Sequence, residues 1–142
     1  MEWALRAFEV IEHTADIGIR SFGATPEEAF ENAAAGMFSL ITAIEGVNDS
    51  EEFRVEVEAE DHETLLVEWL NELLYIFESN RVLLTRFEVT DLGENHLHGK
   101  AWGEPIDESR HELKCDIKAV TYHMLKVVKT HEGWETDVIF DI

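Results

Sequence analysis

The sequence predicts an α+β fold in one domain. Two amphipathic helical patterns occur before residue 81, strand-like patterns fill the rest, and no linker or low-complexity stretch separates them. A mixed or antiparallel sheet packed by two amphipathic helices is expected. At 142 residues, a single domain spanning 1–142 is the default, and a 45% hydrophobic content with only 8 Gly and 2 Pro is enough to build a core.

Taken in order, Ala7 to Glu12 and Asp16 to Phe22 read as two short strands, the second alternating Ile17 and Ile19 with Gly18 and Arg20. Thr25-Pro26-Glu27-Glu28 is a helix start: Thr25 caps, Pro26 takes the first helical position and Glu28 completes a capping box. Ala29, Phe30, Ala33, Ala34, Met37, Phe38 and Ile41 then form one apolar stripe. After an acidic loop around Asp49 to Glu52, Val55, Val57 and Ala59 alternate with charged residues as in a strand buried on one side. Asp61 caps a second helix whose Leu65, Leu66, Trp69, Leu70, Leu73, Leu74 and Phe77 repeat the spacing of the first.

Both helices are expected to cover one sheet, and the repeated order of strand, cap and helix fits an internal duplication. Five further strands are predicted at Val82–Asp91, Leu97–Gly103, Cys115–His123, Leu125–Thr130 and Trp134–Ile142. Turns fall at Gly93–Asn95 and His131–Gly133, and a longer polar connection runs from Gly103 to His111.

Charge narrows the function classes. With 31 acidic and 11 basic residues the chain carries −20, which repels a phosphate backbone and an anionic membrane and favours cations or a basic protein surface. Much of this acidity serves solubility. Cys115 is the one cysteine, expected as a small core residue beside Ile117 and Ala119, and a reducing compartment is implied. No apolar stretch reaches the roughly 18 residues of a membrane span and the N-terminus lacks a signal-peptide layout, so a cytoplasmic protein is expected.

GxxxxGK[ST], GxGxxG, paired CxxC, HExxH and GxSxG are all missing. His96 and His98 would share one strand face and read as a solvated face rather than a zinc site, for want of a third ligand. Three segments carry denser chemistry. Around Glu12–Gly18, Asp16 is either a turn aspartate or an oxygen ligand, while His13 and Thr14 either tie the loop or serve chemistry. At the other end, Asp141 and the carboxylate of Ile142 adjoin, an oxygen-only set that suits Ca²⁺, Mg²⁺ or Mn²⁺ if Asp16 approaches, and otherwise a solvated terminus. In between, Asp116, Lys118, Val120 and Tyr122 are expected on one side of a strand. There Lys118 either faces solvent or holds a carboxylate or phosphate.

Taken together, Glu12-His-Thr-Ala-Asp-Ile-Gly18, the capped Glu27-Glu-Ala-Phe30 helix start, Ile117-Lys-Ala-Val-Thr-Tyr-His123 and the final Asp141-Ile142 resemble the archease family over essentially the whole chain. The resemblance implies a non-enzymatic activator of an RtcB-type RNA ligase, which joins 3′-phosphate or cyclic-phosphate ends to 5′-hydroxyl ends in tRNA splicing and RNA repair. It would promote ligase guanylylation, restore multiple turnover and broaden nucleotide use. It further implies a divalent metal at Asp16, Asp141 and Ile142, calcium foremost with Mg or Mn as alternatives. Lys118 would be functional, with His13, Tyr122 and His123 supporting it or facing the partner. RNA would be met only through the ligase. Two departures stand out: Arg110-His111 where the family pattern has Lys-His, and Met124 after the motif. The competing classes are a chaperone or binding module, and a metal-dependent hydrolase built on His13, Asp16 and His123.

Overall fold

The computed structural model describes residues 7–12 and 16–142. Its elements run β1 (Phe8–Glu12), β2 (Ile17–Gly23), α1 (Pro26–Ile41), a short 3₁₀ turn (Ile44–Gly46), β3 (Glu51–Glu58), α2 (His62–Asn80), β4 (Val82–Leu92), β5 (His96–Pro105), β6 (Ala119–Val120), β7 (Lys126–Thr130) and β8 (Gly133–Asp141). All strand pairs are antiparallel.

The helix starts follow the sequence logic. The Thr25 hydroxyl accepts from the Glu28 N–H at 3.2 Å while the Glu28 carboxylate takes the Ala24 N–H at 2.9 Å, so two otherwise orphaned donors are satisfied. Asp61 accepts from the Thr64 N–H at 2.7 Å, a bond that lowers the Asp61 pKa. The second helix stops where Arg81 turns left-handed at φ 55°.

The helices serve two sheets, not the one expected. The larger runs β1-β2-β8, with β6 and β7 sharing the second edge of β8; the smaller runs β3-β5-β4. The cause is the chemistry of β4: its Val89 N–H is taken by the Glu31 carboxylate of α1 at 2.8 Å and its Thr85 hydroxyl by the Ile44 carbonyl at 2.7 Å. That edge is closed by side-chain bonds instead of another strand. A single core lies between the layers, where Phe30, Phe38, Met37, Trp69, Leu70, Leu73 and Phe140 are fully buried. Trp69 satisfies its indole N–H on the Phe30 carbonyl at 3.0 Å, and its ring sits where a Cβ on Gly99 would approach within 2.8 Å.

A second correction concerns Cys115–His123. Only Ala119–Val120 pair as strand, and the buried residues there are Ile117 and Val120, spaced by three rather than two. Asp116, Lys118 and Tyr122 therefore do not share a strand face with Val120; they are exposed while Val120 is buried. Partner availability explains this: β8 offers only the stretch above its β7 contacts, and the Val120 N–H bonds instead to the Asn71 side chain of α2 at 3.3 Å. Strand β3 also begins earlier than expected, because Glu51 and Glu52 pair with Gly103 and Trp102.

Candidate functional site

The candidate residues from opposite ends of the sequence meet at one end of β8. Ile17 pairs with Phe140 in the last rung of that ladder, so Asp16 and Asp141 are the residues next beyond it on the two chain segments. Since Phe140 faces the core, alternation turns Asp141 and Asp16 to the outer face, where Asp141 is exposed and Asp16 half-buried. On the second edge Ala119 pairs with Asp141, and the Lys118 N–H donates to the Asp141 carbonyl at 2.8 Å. Asp16, Lys118, Asp141 and Ile142 are thus brought to one sheet end.

The two carboxylates have no ion-pair partner among the described residues. Carboxylates at neighbouring strand ends repel one another when close. Side-chain donors alone are few: no group of three or more His, Cys, Asp or Glu that could hold a metal occurs among the described residues. The described residues alone build no closed zinc-type cage there, and a hard cation held by them would need main-chain or terminal oxygen as well. His13 and Thr14 lie outside the described residues.

Beside this end, the Thr121 hydroxyl donates to the Ile139 carbonyl at 2.9 Å and accepts the His123 N–H at 3.2 Å, which anchors the segment carrying Tyr122 and His123. The side chains of Lys118 and Tyr122 are exposed. On the other sheet, the His96 and His98 rings stand 5.3 Å apart, with His96 Nε2 2.8 Å from the Asp91 carboxylate.

Sequence reasoning missed the junction at Glu104. Its buried carboxylate takes the Asn48 N–H at 2.8 Å, the His111 ring N–H at 3.0 Å and the Arg110 guanidinium. The Arg110 bond is the main reason its pKa falls to about 2, with the Asn48 N–H next. His111 Nδ1 accepts the Asp107 N–H at 3.0 Å, so the proton sits on Nε2, the nitrogen that faces Glu104. The junction orients the extended segment that leads to Lys118. Nothing in spacing signals it, because Glu104 lies between Gly103 and Pro105 and reads as a turn.

A profile of the archease protein family matches residues 8–142. The chain belongs to the archease family. Archease of Methanosarcina mazei is 42% identical over 141 residues, covering 96% of this chain and 97% of that protein. Archease of Pyrococcus furiosus is 41% identical over 142 residues, covering 97% and 100%. Among solved structures, the solution structure of protein 1598 of Methanobacterium thermoautotrophicum superposes with a TM-score of 0.82 at 38% identity, covering 96% of this chain and 99% of that one. The archease match includes both Asp16 and Asp141, so the two sides of the candidate site lie within it. No helix among the described residues is long and apolar enough to cross a membrane.

Proposed function

We propose that this archease is a protein cofactor of an RtcB-type RNA ligase, promoting formation of the guanylylated ligase and repeated turnover in tRNA splicing and RNA repair, without catalysing a covalent step itself. The observation that carries the reading is the placement of Asp16 and Asp141 just past the last β2–β8 rung, with no ion-pair partner among the described residues, in a chain of the archease family. With the Ile142 carboxylate they would hold one divalent cation through oxygen, calcium first by family likeness, magnesium or manganese by the same donor chemistry. Bound there, such an ion supplies positive charge to an anionic group of the partner.

The chain's own residues do the rest. The β2–β8 ladder ends between Asp16 and Asp141 and would hold their backbones close enough for the two carboxylates to share one ion. Lys118, tethered through its N–H to Asp141, sets a cation beside them; His13, Tyr122 and His123 belong to the partner-facing margin of the same reading. The charge of −20 directs the surface toward a basic protein and leaves RNA contact to the ligase. The compartment is the cytoplasm.

The test is a ligation assay with substoichiometric cognate ligase, with and without this protein, alongside the protein alone. Acceleration of guanylylation and turnover, with no ligation by the protein by itself, is expected. An unchanged ligase rate would overturn the reading, and ligation or hydrolysis by the isolated protein would replace it with an enzyme.

A further inference from the structure

Strands β6 and β7 lie along the same edge of β8, but their ladders are out of step. The β6 register, extended by the Thr121 N–H bond to the Ile139 carbonyl at 3.0 Å, puts Thr121 opposite Ile139. The β7 register, extended one rung back from Lys126–Asp137, puts Leu125 opposite Val138. Ile139 and Val138 are neighbours, so Tyr122, His123 and Met124 stand between adjacent rungs as three extra residues pushed out of an otherwise continuous strand.

The extrusion carries a conformational cost. Met124 adopts φ 55°, a left-handed conformation that an L side chain rarely takes. The apolar side chains gain no burial in return: Tyr122 is 59% exposed and Met124 57%. A strand edge completed by two segments in compatible registers has no need of the insertion. Exposed Tyr and Met are side chains enriched where protein interfaces are buried.

We infer that Tyr122–Met124 is a docking finger for the partner ligase, dispensable for folding; this rests on the function proposed above. The ligase surface it meets would offer an apolar recess to the finger and positive charge to the acidic strand end beside it. The finger, flanked by Lys118 and Lys126, is joined through Thr121 to the strand end bearing Asp16 and Asp141, and exposed Ile142 lies at that same end. Anchoring the Tyr122 ring and the Met124 thioether beside the carboxylate pair would place the ion site against the ligase.

The register supplies an unusual test. Removing Tyr122–Met124 joins Thr121 to Leu125 and leaves every existing rung of β6 and β7 in place. The full chain lacking these three residues should therefore fold, melt at or above the wild-type temperature, and titrate calcium like the wild type. Its binding to the ligase, measured by calorimetry, should weaken at least tenfold. Tyr122→Ala/Met124→Ala, which keeps the backbone length, should do the same and decides the matter if the shortened chain is unstable.

Wild-type ligase binding by both variants would overturn the finger while leaving the activator reading intact. Failure of the wild type itself to bind or activate the ligase would remove both. Unfolding of the shortened chain would overturn its dispensability.

Discussion

Asp137 and Asp141 both lie on the outer face of β8, yet the fold treats them in opposite ways. Asp137 sits in a row that crosses four strands in one register: Glu9 on β1, Arg20 on β2, Asp137 on β8 and Lys126 on β7. Arg20 clasps it with two bonds, 2.8 and 3.1 Å, and the Lys126 ammonium stands 3.6 Å away while holding Glu135 at 2.6 Å. Asp141, two pleat repeats further along, lies beside Asp16 just past the end of the ladder and makes no ion pair among the described residues. Alternating signs across a sheet serve the fold, whereas like signs placed close together cost stability.

The largest effect expected from this contrast is functional. Asp16→Ala or Asp141→Ala should lower ligase activation by more than the roughly 10- to 100-fold typical of disturbing a metal ligand's support, with folding preserved. Circular dichroism and the ligation assay together check it, and two active variants would return these carboxylates to plain solvated charge.

Next in size, calcium should raise wild-type stability, by about 2.7 kcal/mol at 100 times its dissociation constant. Asp141→Asn should melt no lower than the wild type in chelator and gain nothing from the ion, since it removes repulsion and ligand together. A wild-type melting temperature indifferent to calcium, magnesium and manganese would break the comparison.

Glu104 sharpens the paired side. Its pKa, held at about 2 in the fold, lies below the ordinary 4.5, so its contribution is complete above about 4.5 and fades as pH falls toward 2. Glu104→Gln should cost about 1–3 kcal/mol at neutral pH, because Arg110 and His111 lose their acceptor charge, and should flatten stability across that acid range. Urea unfolding across the range measures both, and a variant with the wild-type acid slope would assign the slope to other carboxylates. Smallest of all, Arg20→Met should cost about 1 kcal/mol, less at high salt, because the pair is partly exposed. A salt-independent loss in the same unfolding experiment would assign Arg20's role to packing.

How far the sequence could be read follows the same physics. Both helices are legible because cap and apolar stripe agree, reinforced by Pro26 in the first, and Thr25 and Asp61 make the bonds assigned to them. The ends of β8 and β2 are legible as chemistry, since Asp16 and Asp141 stand out as acids bordering apolar strands. Their juxtaposition depends on a ladder between residues far apart, which no local pattern encodes. Ile117 and Val120 defeated the alternation rule because the segment leans on β8 over two residues and on Asn71 of α2 beyond that. The three-residue slip at Tyr122–Met124 is a mismatch between two registers, invisible until both are known.

One consequence of the topology concerns how the molecule is assembled in time. β8 follows every other strand along the sequence yet occupies the middle of the larger sheet, between β2 and the β6–β7 edge. During synthesis β2 has β1 at hand but waits for β8 while more than a hundred residues emerge after it, whereas β3, α2, β4 and β5 are neighbours in sequence and can associate early. The smaller sheet is thus expected to form first and the larger to close when β8 docks, which is also when Asp16 and Asp141 come together. Pulse-labelling hydrogen exchange during refolding should protect β4 and β5 amides before those of β2. On the function proposed above, a nascent chain would be silent toward its partner until β8 has docked.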